Sequence, residues 1–128
     1  MEHLKKIYYL DDDLDDLGFF KDIGEELGYN VIPFLNGRLM LNTLETDEEK
    51  PGVIVLDIHM PVFNGEEILE IIRKNDNFKD IPIIMISGAH PKKLVKEFSL
   101  KGVRYLLKRN NFKEFKEAVQ QILEESLQ

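Results

Sequence analysis

A chain of 128 residues that carries no cysteine and a formal charge of −7 excludes several classes of protein. Its length fits one domain, and the lack of cysteine rules out disulfide frameworks and zinc sites built on cysteine. An excess of acidic residues repels a phosphate backbone, so we expect no direct binding of nucleic acid. The chain has no apolar run near the ~20 residues of a membrane span and no signal peptide in its first residues, MEHLKK, so we expect a cytoplasmic protein without a membrane partner.

Short strand-like runs alternate with amphipathic stretches along the whole chain. Apolar residues recur every three or four positions from Leu17 and again from Phe112, and weaker helical patterns cover 37–46, 66–74 and 92–100. This alternation predicts an α/β fold of the doubly wound (βα)5 type, with a parallel five-stranded sheet in one domain over 1–128 and no second domain. The predicted strands are 6–10, 29–34, 52–56, 81–86 and 103–107.

The order of these strands follows from which of them read as buried on both faces. VIVL (53–56) and IIMI (83–86) are continuous apolar runs, which is typical of central parallel strands. Pro33 places the second strand at an edge, because proline cannot donate to a sheet ladder, and Arg104 suits the fifth strand to the opposite edge. The predicted order is therefore 2-1-3-4-5, as in flavodoxin-like folds.

Polar side chains follow four of the predicted strands. Asp11 and Asp12 come after the first strand and Asp57 after the third, and ligands of such sheets bind at these carboxyl ends. Converging carboxylates are ligands that Mg²⁺ prefers. Ser87 and Lys108, after the fourth and fifth strands, suit the oxygens of a phosphoryl group.

The first aspartates belong to a dense acidic run, five within residues 11–16, which has simpler interpretations. Asp13, Asp15 and Asp16 are expected to cap the following helix and to favour its dipole. A calcium-binding EF-hand loop does not fit, because its sixth position is Asp16 instead of glycine and its twelfth is Asp22 instead of glutamate.

Four stretches resemble the receiver domain of two-component response regulators: YYLDDD (8–13), VIVLDIHMPVFNGEE (53–67), IIMISGAH (83–90) and GVRYLLKRN (102–110). The resemblance implies that Asp57 is a phosphoacceptor, which takes its phosphoryl group from a sensor histidine kinase or a histidine phosphotransfer protein. It also implies that Asp11, Asp12, Asp57 and the backbone carbonyl of His59 hold Mg²⁺. The protein would then be a signalling switch that catalyses only its own phosphorylation and slow dephosphorylation, not an enzyme.

The same resemblance assigns the switch to Ser87 and Tyr105, with Lys108 pairing a phosphoryl oxygen. Tyr105 equally fits an ordinary half-exposed tyrosine of an edge strand. We expect the signal to pass by docking to an unknown downstream protein, or as a phosphorelay step. The candidate docking residues are Leu94, Val95, Phe98 and Tyr105.

Two positions depart from, or add to, the family pattern. Arg109 follows Lys108 where the family usually has proline, often after a cis bond. Without proline a cis bond costs about 3–4 kcal/mol, which favours a trans bond and a differently placed loop. The side chain of His59 either tunes the lifetime of the acyl phosphate or only faces solvent, and timing phosphate loss in His59→Ala distinguishes the two.

Other classes of function stay open at this stage. A degenerate receiver that binds a partner without being phosphorylated is the main alternative. A Mg²⁺-dependent aspartyl-phosphate hydrolase would be expected to carry an acid where His59 stands. A flavodoxin-like carrier would need a phosphate-cradling loop after the first strand, where this chain has carboxylates.

Overall fold

The computed structural model describes residues 5–60, 63–89 and 92–127, so Pro61, Val62 and His90 of the motifs above lie outside it. Strands and helices alternate strictly along the described chain, as the sequence predicts. The elements are β1 (Lys6–Leu10), α1 (Leu14–Glu26), β2 (Asn30–Phe34), α2 (Gly37–Thr46), β3 (Val53–Asp57), α3 (Gly65–Lys74), β4 (Ile83–Ser87), α4 (Lys92–Leu100), β5 (Arg104–Leu107) and α5 (Phe112–Ser126).

The strands form one parallel sheet in the order β2-β1-β3-β4-β5, which confirms the predicted topology. β2 is an edge strand, and its Pro33 lies opposite Tyr9 of the neighbouring strand β1. β5 is the opposite edge, where Arg104 is exposed and lies 3.8 Å from Glu125. The winding reverses between β1 and β3, which places the candidate ligand-binding crevice above these two strands.

Four of the five strands differ from their predicted bounds by one or two residues, and at β3 and β4 the difference affects the site. β3 extends to Asp57 and β4 runs from Ile83 to Ser87, so both polar residues end a strand instead of following one. β4 begins late because Pro82 has no N–H to donate, although its carbonyl still accepts from Ile54 N at 3.0 Å. Asp57 and Ser87 are therefore held by the sheet itself.

The core has two layers, one on each face of the sheet. All five residues of β3 and of β4 are buried, because helices cover both of their faces. One cluster packs the sheet against α2, α3 and α4, and the other packs it against α1 and α5. Across the described ranges, no helix is long and apolar enough to cross a membrane.

A polar group outside the candidate site ties β1 to the end of α2. Asp47 accepts hydrogen bonds from the Tyr8 hydroxyl at 2.5 Å and from the Lys6 ammonium at 2.8 and 3.0 Å. The bond from Lys6, and then that from Tyr8, lower the pKa of Asp47 to about 2. The ionised form of Asp47 is therefore favoured by folding.

This depressed pKa predicts a pH-dependent contribution to stability. The contribution is complete above the unfolded-state pKa near 4 and is lost as the pH falls through the folded-state pKa of about 2. Because solvent screens a partly exposed group, we expect Asp47→Asn to lower the free energy of unfolding by about 1 kcal/mol at neutral pH. Urea unfolding at several pH values measures the difference. Asp76→Asn, at a side chain 93% exposed, is the control, and a deficit that stays the same from neutral pH to below about pH 2 would contradict the assignment.

Candidate functional site

The connection from β1 to α1 delivers the first two aspartates to the carboxyl edge of the sheet. Asp11 N–H donates to Phe34 O at 3.1 Å, which extends the β1–β2 pairing one residue past the strand. The Asp13 carboxylate then caps α1 by accepting from Asp15 N at 2.8 Å and Asp16 N at 3.1 Å. The expected capping role of Asp13 is confirmed, and the sharp turn holds Asp11 and Asp12 above the switch point of the sheet.

Three carboxylates meet at this edge, as the sequence predicts. Oxygens of Asp11, Asp12 and Asp57 all lie within 4.8 Å of one another. Asp11 and Asp57 are only 0% and 3% exposed, whereas Asp12 faces solvent. Hard oxygen donors, two buried and one open to water, fit a divalent cation such as Mg²⁺, which keeps several of its waters.

The third strand also fixes the orientation of the Asp57 carboxylate. The backbone N–H of His59 donates to Asp57 Oδ1 at 3.2 Å, while the side chain of His59 is exposed. The other oxygen, Oδ2, lies 3.7 Å from the ammonium of Lys108. One oxygen of Asp57 is thus held by the loop that follows it, and the other faces a cation.

Lys108 supplies that positive charge at the centre of the site. Its backbone N–H donates to Ser87 O at 2.8 Å, which fixes the end of β5 against the end of β4. Its ammonium lies 2.8 Å from Asp11 Oδ2 and 2.9 Å from Asp16 Oδ2. No peptide bond among the described residues is cis, so Lys108 reaches the site with a trans bond to Arg109, as the missing proline favours.

Crowded negative charge shifts the ionisation of the buried groups. Burial, and then the negative charge of Asp11, raise the pKa of Asp57 to about 7, although the ammonium of Lys108 opposes this shift. Burial alone would lower the pKa of Lys108, but its hydrogen bonds to Asp11 and Asp16 and the charges around it raise the pKa above its usual value. The site therefore favours binding of a cation and keeps its own ammonium charged.

Two residues of the site were not assigned from the sequence. The hydroxyl of buried Tyr9 donates to Asp11 Oδ2 at 2.5 Å, and Asp16 shares the ammonium of Lys108. Tyr9 could have been found, because residues two apart on a strand face the same side. Asp16 could have been found from its position four residues before buried Phe20, which puts both on the same side of α1.

Ser87 and Tyr105 both contact the backbone of Ala89, between β4 and α4. Ser87 is fully buried, and its Oγ accepts from Ala89 N at 3.1 Å. Half-buried Tyr105 donates its hydroxyl to the carbonyl of the same residue. One short segment thus connects the hydroxyl beside the site with the aromatic ring on β5.

The predicted docking residues differ in exposure. Phe98 is only 2% exposed and belongs to the core, so its assignment to a docking surface is wrong. Phe98 is the buried residue of α4, and the other side chains of this helix are half-buried or exposed. Leu94, Val95 and Tyr105 are half-buried, and they stay candidates for contact with a partner.

A close backbone contact places the helix that follows the site. Asn64 begins α3 with a capping box, in which its side chain accepts from Glu67 N and the Glu67 carboxylate accepts from Asn64 N. Gly65 then packs on the backbone of Asp57, where a Cβ atom would lie 2.5 Å from the carbonyl oxygen. Only glycine fits here without movement of the strand end that carries Asp57.

We expect Gly65→Ala to lower the free energy of unfolding by about 1–3 kcal/mol, because the obstacle is backbone that cannot rotate away. Gly18→Ala on α1 is the matched control, since a Cβ atom there would meet nothing within 4 Å. Alanine is favoured over glycine in helices by up to about 1 kcal/mol, so the control should be neutral or stabilised. Chemical unfolding of the three proteins compares them, and equal behaviour of the two variants would contradict the contact.

Comparison with known proteins gives the same fold and identifies the family. The family model described as response regulator receiver domain matches residues 7–120. Sensory transduction protein LytT of Oceanobacillus iheyensis is 40% identical over 87 residues, which are 68% of this chain and 34% of that protein. The chain thus spans about a third of the length of this relative.

Solved structures superpose on nearly the whole chain. Chemotaxis protein CheY4 of Vibrio cholerae has a TM-score of 0.83 at 24% identity, covering 98% of this chain and 100% of that one. The Mn²⁺-bound form of response regulator Rcp1 has a TM-score of 0.78 at 25% identity, covering 92% and 91%. The first likeness shows the fold, and the second structure holds a divalent cation in a related domain.

The doubly wound sheet carries a carboxylate cluster at its switch point, and the family model covers this whole region of the chain. This chain belongs to the family of response regulator receiver domains. Members of that family work in two-component systems, where histidine kinases phosphorylate them and an acidic pocket binds Mg²⁺.

Proposed function

We propose that Asp57 accepts a phosphoryl group in a reaction that requires Mg²⁺, and that this modification switches the surface around β5. One observation carries the proposal: a buried carboxylate ends the central strand β3, with Asp11 and Asp12 oxygens within 4.8 Å and the Lys108 ammonium 3.7 Å away. This arrangement offers a nucleophile, a set of metal ligands and a fixed cation in one place.

In the proposed transfer, an oxygen of Asp57 attacks the phosphorus of a phosphohistidine. The new P–O bond forms as the P–N bond breaks, and the imidazole nitrogen keeps the electron pair of that bond and takes up a proton. The products are an acyl phosphate on Asp57 and a neutral histidine. Such a transition state is loose and spreads charge over the equatorial oxygens, so positioning and neutralisation supply most of the catalysis.

Asp11, Asp12, Asp57 and the backbone carbonyl of His59 would hold the Mg²⁺ ion. When bound, the ion neutralises phosphoryl oxygens and favours their in-line approach. Lys108 orients a further oxygen through its ammonium, which the surrounding carboxylates keep charged. The His59 N–H bond to Oδ1 leaves Asp57 Oδ2, on the side of Lys108, as the oxygen that attacks.

The proposed switch uses the segment between β4 and α4. A phosphoryl group on Asp57 attracts the Ser87 hydroxyl, which then releases the N–H of Ala89. Tyr105 holds the carbonyl of Ala89, so movement of this segment changes the position of the ring. Two pre-existing arrangements of the surface near Leu94 and Val95 would differ in population between the two phosphorylation states.

The proposed partners are a sensor histidine kinase or a histidine phosphotransfer protein as donor, and a downstream protein as target. A cytoplasmic location is part of the proposal, because a chain without cysteine suits a reducing compartment. The charge of −7 supports a protein target over nucleic acid.

Intact-mass spectrometry after incubation with acetyl phosphate and Mg²⁺ tests the proposal. We expect one phosphoryl adduct on the unaltered protein, and none without Mg²⁺ or in Asp57→Asn. Asp47→Asn is the matched control, because it removes the same charge from a site that holds no candidate ligand. If rapid quenching and cognate kinases also yield no adduct, the proposal fails and a degenerate receiver that binds its partner unphosphorylated takes its place.

A further inference from the structure

We infer that Asp16 is a positioning residue for Lys108: it holds the ammonium against Asp11 before phosphorylation and competes with the phosphoryl group for it. The inference rests on the proposed function of Asp57. It goes beyond the cluster of Asp11, Asp12 and Asp57, because Asp16 reaches the site from the first turn of α1. Its carboxylate accepts from Lys108 Nζ at 2.9 Å across 92 positions of the chain.

The carboxylate of Asp16 is not needed to cap α1. Asp13 caps the helix, and Asp15 already adds negative charge to the same first turn. Asp15 faces solvent, whereas the side chain of Asp16 is 40% exposed and contacts the end of β5 through Lys108. Two aspartates adjacent in sequence thus differ in their surroundings, and Asp16 is the one that contacts Lys108.

The ammonium of Lys108 is hydrogen-bonded to Asp11 and Asp16 but not to Asp57. An ammonium has three donors, and two carboxylates lie within hydrogen-bond distance, at 2.8 Å for Asp11 and 2.9 Å for Asp16. Asp57 Oδ2, at 3.7 Å, lies beyond hydrogen-bond distance. A phosphoryl group on Asp57 would be a further negative acceptor for this ammonium, and the attraction of Asp16 opposes a shift of the ammonium toward the phosphoryl oxygens.

The strength of this competition follows from exposure. The side chains of Lys108 and Asp16 are 21% and 40% exposed, so their pair can break without burying an unpaired charge on Asp16. Partly exposed pairs of this kind change an equilibrium by about two- to fivefold. Asp16 would therefore favour the unphosphorylated arrangement by that factor, and its removal would favour the arrangement with Lys108 on the phosphoryl group.

Binding of beryllofluoride in the presence of Mg²⁺ measures this preference, because this anion takes the place of a phosphoryl group on a carboxylate. Fluorine NMR titrations would compare the unaltered protein with Asp16→Asn, Asp16→Glu and Asp15→Asn. We expect Asp16→Asn to bind about two- to fivefold more tightly than Asp15→Asn, which removes the same charge one residue away. Asp16→Glu keeps the carboxylate and should restore binding to nearly the original level.

A second measurement needs neither metal nor anion. An amine-reactive reagent, applied in the presence of EDTA, modifies a lysine faster when its ammonium is less tightly held. Peptide mass spectrometry should find faster modification of Lys108 in Asp16→Asn than in Asp15→Asn, with Lys116 as internal reference. A merely structural role of Asp16 would lower thermal stability without this selective change at Lys108.

Equal affinity of Asp16→Asn and Asp15→Asn for beryllofluoride, or weaker binding by Asp16→Asn, would overturn the inference. Equal labelling of Lys108 in the two variants would overturn the ion pair itself. If the unaltered protein binds no beryllofluoride and forms no adduct on Asp57, the proposed function fails. In that case the labelling experiment still shows whether Asp16 holds Lys108, so the two failures are distinguishable.

Discussion

Asp57→Asn is expected to stabilise the metal-free protein at pH 8 by about 2–4 kcal/mol, the largest gain that we expect from a single substitution in this chain. The pKa of Asp57 is raised by folding, from 3.8 to about 7. A carboxyl whose folded-state pKa is raised costs stability once the pH exceeds its unfolded-state pKa, and the cost is complete above the folded-state pKa. Asparagine keeps the shape of the side chain and removes the charge.

Urea unfolding in EDTA at pH 5 and pH 8 measures this gain. We expect the full difference between Asp57→Asn and the unaltered protein at pH 8, and a clearly smaller one at pH 5, where the folded state keeps Asp57 largely protonated and only part of the cost is present. Asp76→Asn, at an exposed position, controls for loss of a negative charge in general. A gain that is equal at both pH values would contradict the raised pKa as its cause.

Magnesium should reduce the gain, because a ligand stabilises only the protein that binds it. The unaltered protein offers three clustered carboxylates to the ion, whereas Asp57→Asn offers two. Addition of Mg²⁺ at pH 8 is thus expected to stabilise the unaltered protein more than the variant. The same substitution that removes the proposed nucleophile would then also report on the metal site.

The strand order and the carboxylate cluster could be predicted from the sequence, because a few residues fit only an edge or only a central position of a parallel sheet. Pro33 excludes β2 from the interior, and the unbroken apolar runs of β3 and β4 exclude those strands from the edges. Once the order was fixed, the carboxyl ends of the strands had to meet. Asp11, Asp12 and Asp57 were therefore predicted as a cluster without any knowledge of side-chain positions.

The remaining details depend on the rotation of helices, which a single sequence specifies less sharply than the pleat of a strand. Asp15 and Asp16 are both first-turn acids, and only the four-residue spacing from Asp16 to buried Phe20 indicates that Asp16 lies on the side of α1 that faces Lys108. Phe98 reads like its neighbours in α4, yet the packing of that helix turns it into the core. In both cases successive residues point about 100° apart around the helix axis, so one step along the chain separates a side chain that faces the protein from one that faces solvent.

Lys108→Met is expected to lower the free energy of unfolding in EDTA at pH 8 by about 3 kcal/mol, because loss of one partner leaves buried charge uncompensated. Methionine retains an apolar stem of similar length, so the change is mainly one of charge. The ammonium of Lys108 is shared by Asp11, Asp16 and Asp57, and Asp11 has no exposure to water. The expected loss of stability therefore comes mainly from repulsion among these carboxylates, and less from the loss of any single ion pair.

Two comparisons separate this repulsion from an ordinary loss of a lysine. Lys116→Met breaks a pair with Glu26 at 2.6 Å, but these side chains are 31% and 53% exposed, so its cost should stay below about 1 kcal/mol. Mg²⁺ replaces positive charge only at the site, and we expect it to recover much of the stability of Lys108→Met and little of that of Lys116→Met. The double variant Lys108→Met with Asp57→Asn should lose less than Lys108→Met alone, because one of the repelling carboxylates is then absent. If the double variant is as unstable as the single one, the loss comes from packing of the Lys108 stem, and the electrostatic account of the site is wrong.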